Sequence, residues 1–151
     1  MVAQKKENED SRFSDLLRIE GQTPIRTNWK IVHALQEDVS SSEFSRLWET
    51  ASDLGINKKE YSGFLHINVR TLDRNLKEKF TLDIDKSEKA LRIFRMMHHG
   101  INTFGNKEKF SKWLREDNQA LGMKPIDLFG TIAGIEIVNN ILTRIEYGIF
   151  S

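Results

Sequence analysis

The sequence contains no cysteine, which excludes disulfides and thiolate metal sites and suits a reducing cytoplasm, the expected location. Two prolines and nine glycines in 151 residues leave little turn chemistry for a hairpin-rich architecture. No apolar run approaches a membrane span. The N-terminal stretch MVAQKKENED has no apolar segment behind its lysines, so neither a membrane association nor a signal peptide is expected. Net charge is lacking too: 23 Lys and Arg face 22 Asp and Glu, for a formal charge of +1. Nucleic-acid binding would therefore need a local basic patch. There is no phosphate-binding glycine loop and no G-x-S-x-G. The acidic pair Glu116–Asp117 falls in a polar loop, where solvated charge is the ordinary reading. His98 and His99 are adjacent, about 100° apart on a helix, and cannot form the i, i+4 pair zinc uses. The expectation is a protein with no catalytic, cofactor or metal site.

What the sequence does have is apolar residues at three-and-four spacing, which predicts an all-α fold. Residues 1 to 11 are charged and are read as disordered; Phe13, Leu16, Leu17 and Ile19 then offer a short apolar face. Asn28 is a candidate cap for a short helix through Gln36. In 41–55, Phe44, Leu47, Trp48, Ala51 and Leu54 share one face and Gly55 supplies a stop. Asn57 with Glu60 forms a box-like helix start. Asn68 caps a second helix over 69–78. Two short helices so closely joined make a helix-turn-helix, with Ser62 at the close crossing and Leu65, Ile67 and Leu72 inside. Asp85, with Glu88 three positions on, predicts a long helix over 86–104, so apolar along Ala90, Phe94, Met97, Ile101 and Phe104 that it belongs in a core or a homodimer interface.

The motif resembles the Xre-type helix-turn-helix, most visibly in Arg70-Thr71-Leu72-Asp73-Arg74, with His66 at the turn position usually filled by glycine. In the last third, Asn106 caps a helix carrying Phe110, Trp113 and Leu114, Pro125 opens a helical turn, and Thr131 caps the final helix. Phe104-Gly105, Trp113-Leu114, Asn118, Ala120-Leu121-Gly122, Pro125, Leu128, Gly134, Val138, Leu142, Ile145-Glu146 and Gly148 follow in an order that resembles the toxin-binding domain of Xre/ParS-type antitoxins. The departures are Ala133, where an acidic residue is common, and Gly130 before Thr131.

The resemblance implies a helix-turn-helix bundle fused to a compact C-terminal helical toxin-binding unit. The expected division is an N-terminal extension over 1–40, partly disordered, an Xre-like domain over 41–104 and a toxin-binding domain over 105–151. It implies an antitoxin against a RES-domain toxin, which depletes NAD, that also represses its own operon as a homodimer. The terminal Ile149 and Phe150 then acquire a use. Four extended residues span about 13 Å, enough to enter a pocket, so Tyr147, Gly148, Ile149, Phe150 and Ser151, helped by Arg144 and Glu146, are the expected toxin contacts. Arg70, Arg74 and Lys77 are expected at phosphates, and Asn68, Val69 and Thr71 near base edges, with Asp73 among them as a repulsive charge. Two alternatives stay open: a tail folded back on its own core, and a stand-alone helix-turn-helix regulator whose C-terminal unit dimerises.

Overall fold

Capping side chains set most of the helix boundaries. The computed structural model describes residues 2–17 and 29–148. These form α1 (Val2–Leu17), α2 (Trp29–Gln36), α3 (Ser41–Asp53), α4 (Lys58–Phe64), α5 (Val69–Lys77), α6 (Ile84–Phe104), α7 (Lys107–Arg115), a 3-10 turn (Pro125–Leu128) and α8 (Ile132–Glu146). No strand occurs among the described residues, so the all-α expectation holds. Ser40 and Asn57 each close a capping box, with Glu43 and Glu60 as partners. Asn68, Asn106 and Thr131 accept from the N3 amides of α5, α7 and α8. Gly105 ends α6 in the left-handed conformation at φ +83°.

Two expectations change. The long helix starts at Ile84, and its cap is Asp83 rather than Asp85; the Asp83 carboxylate accepts from the Lys86 amide at 3.0 Å. This start points Ser87 inward, where its hydroxyl donates to Leu82 O and accepts from Val39 N, tying α6 to the α2–α3 turn. Glu88, expected in a capping box, instead pairs with Arg92 one turn on at 2.9 Å.

The second change is at the N-terminus, where residues 2–11 are helical rather than disordered. Phe13 and Leu16 are buried, and Phe13 lies 5.1 Å from Phe94 of α6. Arg12 is the anchor. Only 8% exposed, it donates to Ala34 O at 2.9 Å, to Asp38 O at 3.1 Å, to Glu37 O, and to the Glu43 carboxylate at 3.0 Å. The guanidinium thereby satisfies carbonyls at the end of α2 while pairing with a buried charge. Arg46 lies 4.2 Å from the Phe13 ring centroid and pairs with Asp10 at 2.8 Å. The expected Asn28 cap and the Ile19 contact lie outside the described residues.

Helix α6 is the axis of the molecule; α1, α2, α3, α7 and α8 all pack against it. Ala90, Leu91, Ile93, Phe94, Met96 and Met97 are buried within the chain itself. Its apolar surface is thus consumed internally and carries no argument for a dimer. A Cβ at Gly100 would lie 2.1 Å from the Phe110 ring, so glycine is what lets α7 approach. Phe104, Phe110 and Trp113 stack beside it, with centroids 5.4 to 6.0 Å apart.

Candidate functional site

The α4–α5 unit has the geometry its sequence predicts. Ser62, Leu65 and Leu72 are buried and Ile67 packs against the core. His66 takes the left-handed turn at φ +54°, a conformation unfavourable for a residue with a Cβ. Its ring reaches Gly130 O at 3.0 Å, and Lys89 Nζ donates to the same carbonyl at 2.8 Å. The histidine therefore bridges to the corner between the 3-10 turn and α8, which a glycine cannot do.

On the second helix, Asn68, Val69, Arg70, Arg74 and Lys77 are exposed and Thr71 is half-buried. Asp73 does not stand as a bare negative charge among them. Lys58 of α4 pairs with it at 2.5 Å, and that ammonium holds the Asp73 carboxyl below its ordinary value. Asn68, Thr71 and Arg74 line an open groove with His66, Thr81 and Lys86.

The C-terminal unit is fastened to this motif by several polar ties. Arg115 forks onto the Glu60 carboxylate at 2.8 and 3.0 Å and donates to Gly55 O at 3.0 Å. The guanidinium, with the Asn57 amide, keeps the Glu60 carboxyl low. Ser111 donates to Leu54 O at 2.7 Å, and Lys107 meets Asp53 at 2.9 Å. Phe64 meets Phe129 edge-on, at 5.3 Å.

Helix α8 packs Ile135, Val138 and Leu142 inward and leaves Ile137 45% exposed. Between α6 and α8 runs a groove of about 300 Å³ lined by Arg92, Arg95, Met96, Ile135, Glu136 and Asn139, among others. Tyr147 caps α8 at 60% exposure, and Gly148 turns the chain at φ +67°. Arg144 and Glu146 are exposed on the last turn. Glu146 also faces inward through one oxygen, 3.1 Å from Nε2 of His99. Ile149, Phe150 and Ser151, the remaining expected contacts, lie outside the described residues. Ile137 was absent from the expected contacts, although its place outside the inner Ile135–Val138–Leu142 register marks it as outward-facing.

Residues 99–148 match the sequence profile of the antitoxin Xre/MbcA/ParS C-terminal toxin-binding domain. That third of the chain is similar to the toxin-binding domain of the Xre/ParS-type antitoxins. Among curated relatives it is 32% identical over 87 residues to Antitoxin Xre of Photorhabdus laumondii, covering 56% of this chain and 59% of that protein. It is 24% identical over 130 residues, 80% of each chain, to the Prs ADP-ribosylating antitoxin of Sphingobium. The matched stretch begins inside α6, at His99, so one helix contributes both to the core of the motif-bearing half and to the stretch that resembles a toxin-binding domain. No helix among the described residues is long and apolar enough to cross a membrane.

Proposed function

We propose that the chain is an antitoxin that binds and neutralises a toxin protein through its C-terminal domain. The observation that carries this is the match over residues 99–148, supported by two relatives named as antitoxins. The toxin is of the RES type that the sequence resemblance implies. Residues 147–151 cover its active site, with Arg144 and Ile137 on the flanking face of α8. Apolar anchors entering a pocket dominate such interfaces, each buried side chain contributing about 1.5–3 kcal/mol. On this reading residues 41–104 carry the DNA-facing motif and residues 105–151 the toxin-facing unit, with residues 1–40 as an extension fastened to the first.

Operator binding is the second component. It is supported by exposed Arg70, Arg74 and Lys77 around a position where Lys58 neutralises Asp73. A two-half-site operator requires a homodimer, whose interface lies elsewhere than the buried stripe of α6. The competing reading is a stand-alone regulator without a toxin.

The test is co-expression with the product of the adjacent reading frame, only that product tagged, using the full chain and a chain lacking residues 148–151. Capture of the full chain and its loss on truncation is the expected result. Capture of both moves the contact onto the α8 surface, and capture of neither rejects the antitoxin reading. Reversing charge at Arg70 and Arg74 should abolish retention of the chain's own upstream DNA and leave capture intact.

A further inference from the structure

His99 is the one histidine fully inside the described structure, 3% exposed on an otherwise apolar stretch of α6. Both ring nitrogens face α8. Nδ1 lies 2.6 Å from the Asn139 side-chain amide oxygen and Nε2 lies 3.1 Å from Oε2 of Glu146. An ionised carboxylate can only accept, so Nε2 carries a proton and donates it to Glu146, and in the neutral ring Nδ1 then accepts from the Asn139 amide turned to present its NH2. The two contacts grip α8 at points seven residues apart, two turns of the helix.

The lower grip matters because the rest of that end is thinly held. Leu142 is the last fully buried residue of α8; from Thr143 to Gly148 every side chain is half-buried or exposed. Two residues after Glu146 the chain turns at Gly148, whose amide returns to Ile145 O at 3.0 Å. The His99–Glu146 contact fixes the orientation of this last turn, with Tyr147 and Gly148, against α6.

We propose that His99 is a positioning residue: through Glu146 it holds the last turn of α8 and so aims the chain after Gly148 at the toxin. This deepens the reading of the tail given above and rests on it. It also moves Glu146 from a toxin contact to the brace of the segment that makes the contact. Burying an imidazole costs desolvation unless its hydrogen bonds are made, and one of those made here is spent on the end of α8.

Two measurements test it. The first needs no toxin. Amide hydrogen exchange of the full chain should accelerate at least tenfold over residues 143–148 in His99→Gln and in Glu146→Ala, while α3 and α5 keep their protection. The half-exposed Glu146 removes the contact from the surface, so its variant keeps the test usable should the buried substitution unfold the chain. Unchanged exchange at 143–148 in Glu146→Ala overturns the proposal.

The second is a cycle of affinities for the adjacent reading frame's product, with His99→Gln made in the full chain and in the chain lacking residues 148–151. A loss of at least tenfold in the full chain and none in the truncated chain is expected, because an aimed tail that is gone has nothing to lose. An equal loss in both makes His99 merely structural and overturns the proposal. A truncation that itself costs nothing rejects the tail reading, and absence of binding by the full chain rejects the antitoxin reading. In either of those cases the exchange experiment alone decides whether His99 holds the last turn.

Discussion

At the N-terminal end, residues 2–17 are rich in charge, yet the helix is fastened by a buried guanidinium with four acceptors, by Phe13 against Phe94, and by an outer pair between Asp10 and Arg46. At the C-terminal end the composition is apolar, yet full burial stops at Leu142 and Tyr147 stands 60% exposed. The charged helix is the tied one, and the last described turn of the apolar α8 is the exposed one. Composition reports what a segment would cost to bury or expose. It does not report whether a partner elsewhere in the chain compensates.

Breaking the N-terminal tie gives the largest expected effect. Arg12→Ala leaves Glu43 buried without its partner and several carbonyls at the end of α2 unsatisfied, so stability should fall by about 3–5 kcal/mol, read from the urea midpoint.

Next is Gly134→Ala at the start of α8. The new Cβ would lie 2.0 Å from Leu128 O, a backbone atom, so the corner must shift. A loss of about 3 kcal/mol is expected, and a thermal melt with unchanged Tm would show that the corner yields freely.

A gain should come from Tyr61→Phe. The Tyr61 hydroxyl is fully buried with no hydrogen-bond partner among the described residues, and burial pushes its pKa far up, so removing it should stabilise the chain by about 1 kcal/mol.

Smaller still is an acid effect at the Arg115–Glu60 clasp. The folded pKa of Glu60 lies below its ordinary 4.5. Its stabilising contribution is therefore complete above the ordinary value and disappears as pH falls through the folded one. The stability difference between the wild-type chain and Glu60→Gln should shrink correspondingly in urea titrations run at falling pH.

The smallest effect on stability belongs to the C-terminal end. Removing residues 148–151 should change the unfolding free energy by less than about 0.5 kcal/mol while weakening toxin capture strongly. A large stability loss there would mean the tail is packed on its own core, and the contrast between the ends would vanish.

Much of the fold was legible because its signals are local. Asn57, Asn68, Asn106 and Thr131 cap helices three residues from the amides they serve, and Gly55 and Gly105 stop them. The short α4–α5 connection was legible for the same reason. Asp83 and Asp85 shows where local signals run out. Both can cap, and the choice follows from Ser87 reaching Val39 and Leu82, a contact the α6 sequence does not contain. The stretch that matches the toxin-binding profile was legible as a block of residues over the last third. The neutralisation of Asp73 by Lys58 was not, because the pair spans fifteen positions and two helices.

The sequence by itself determined the all-α class, most of the helix ends, the two-helix motif and the likeness of the last third to toxin-binding domains. Each depends on periodicity or on side chains reaching a few residues along the chain. Only the tertiary structure decided that Arg12 sits inside, that His66 reaches Gly130, and that Glu146 is held by His99. Those contacts join residues 22 to 64 positions apart. Their polar groups are tolerable in the interior or at a seam only because folding brings the matching acceptor to hydrogen-bonding distance, which no local pattern encodes.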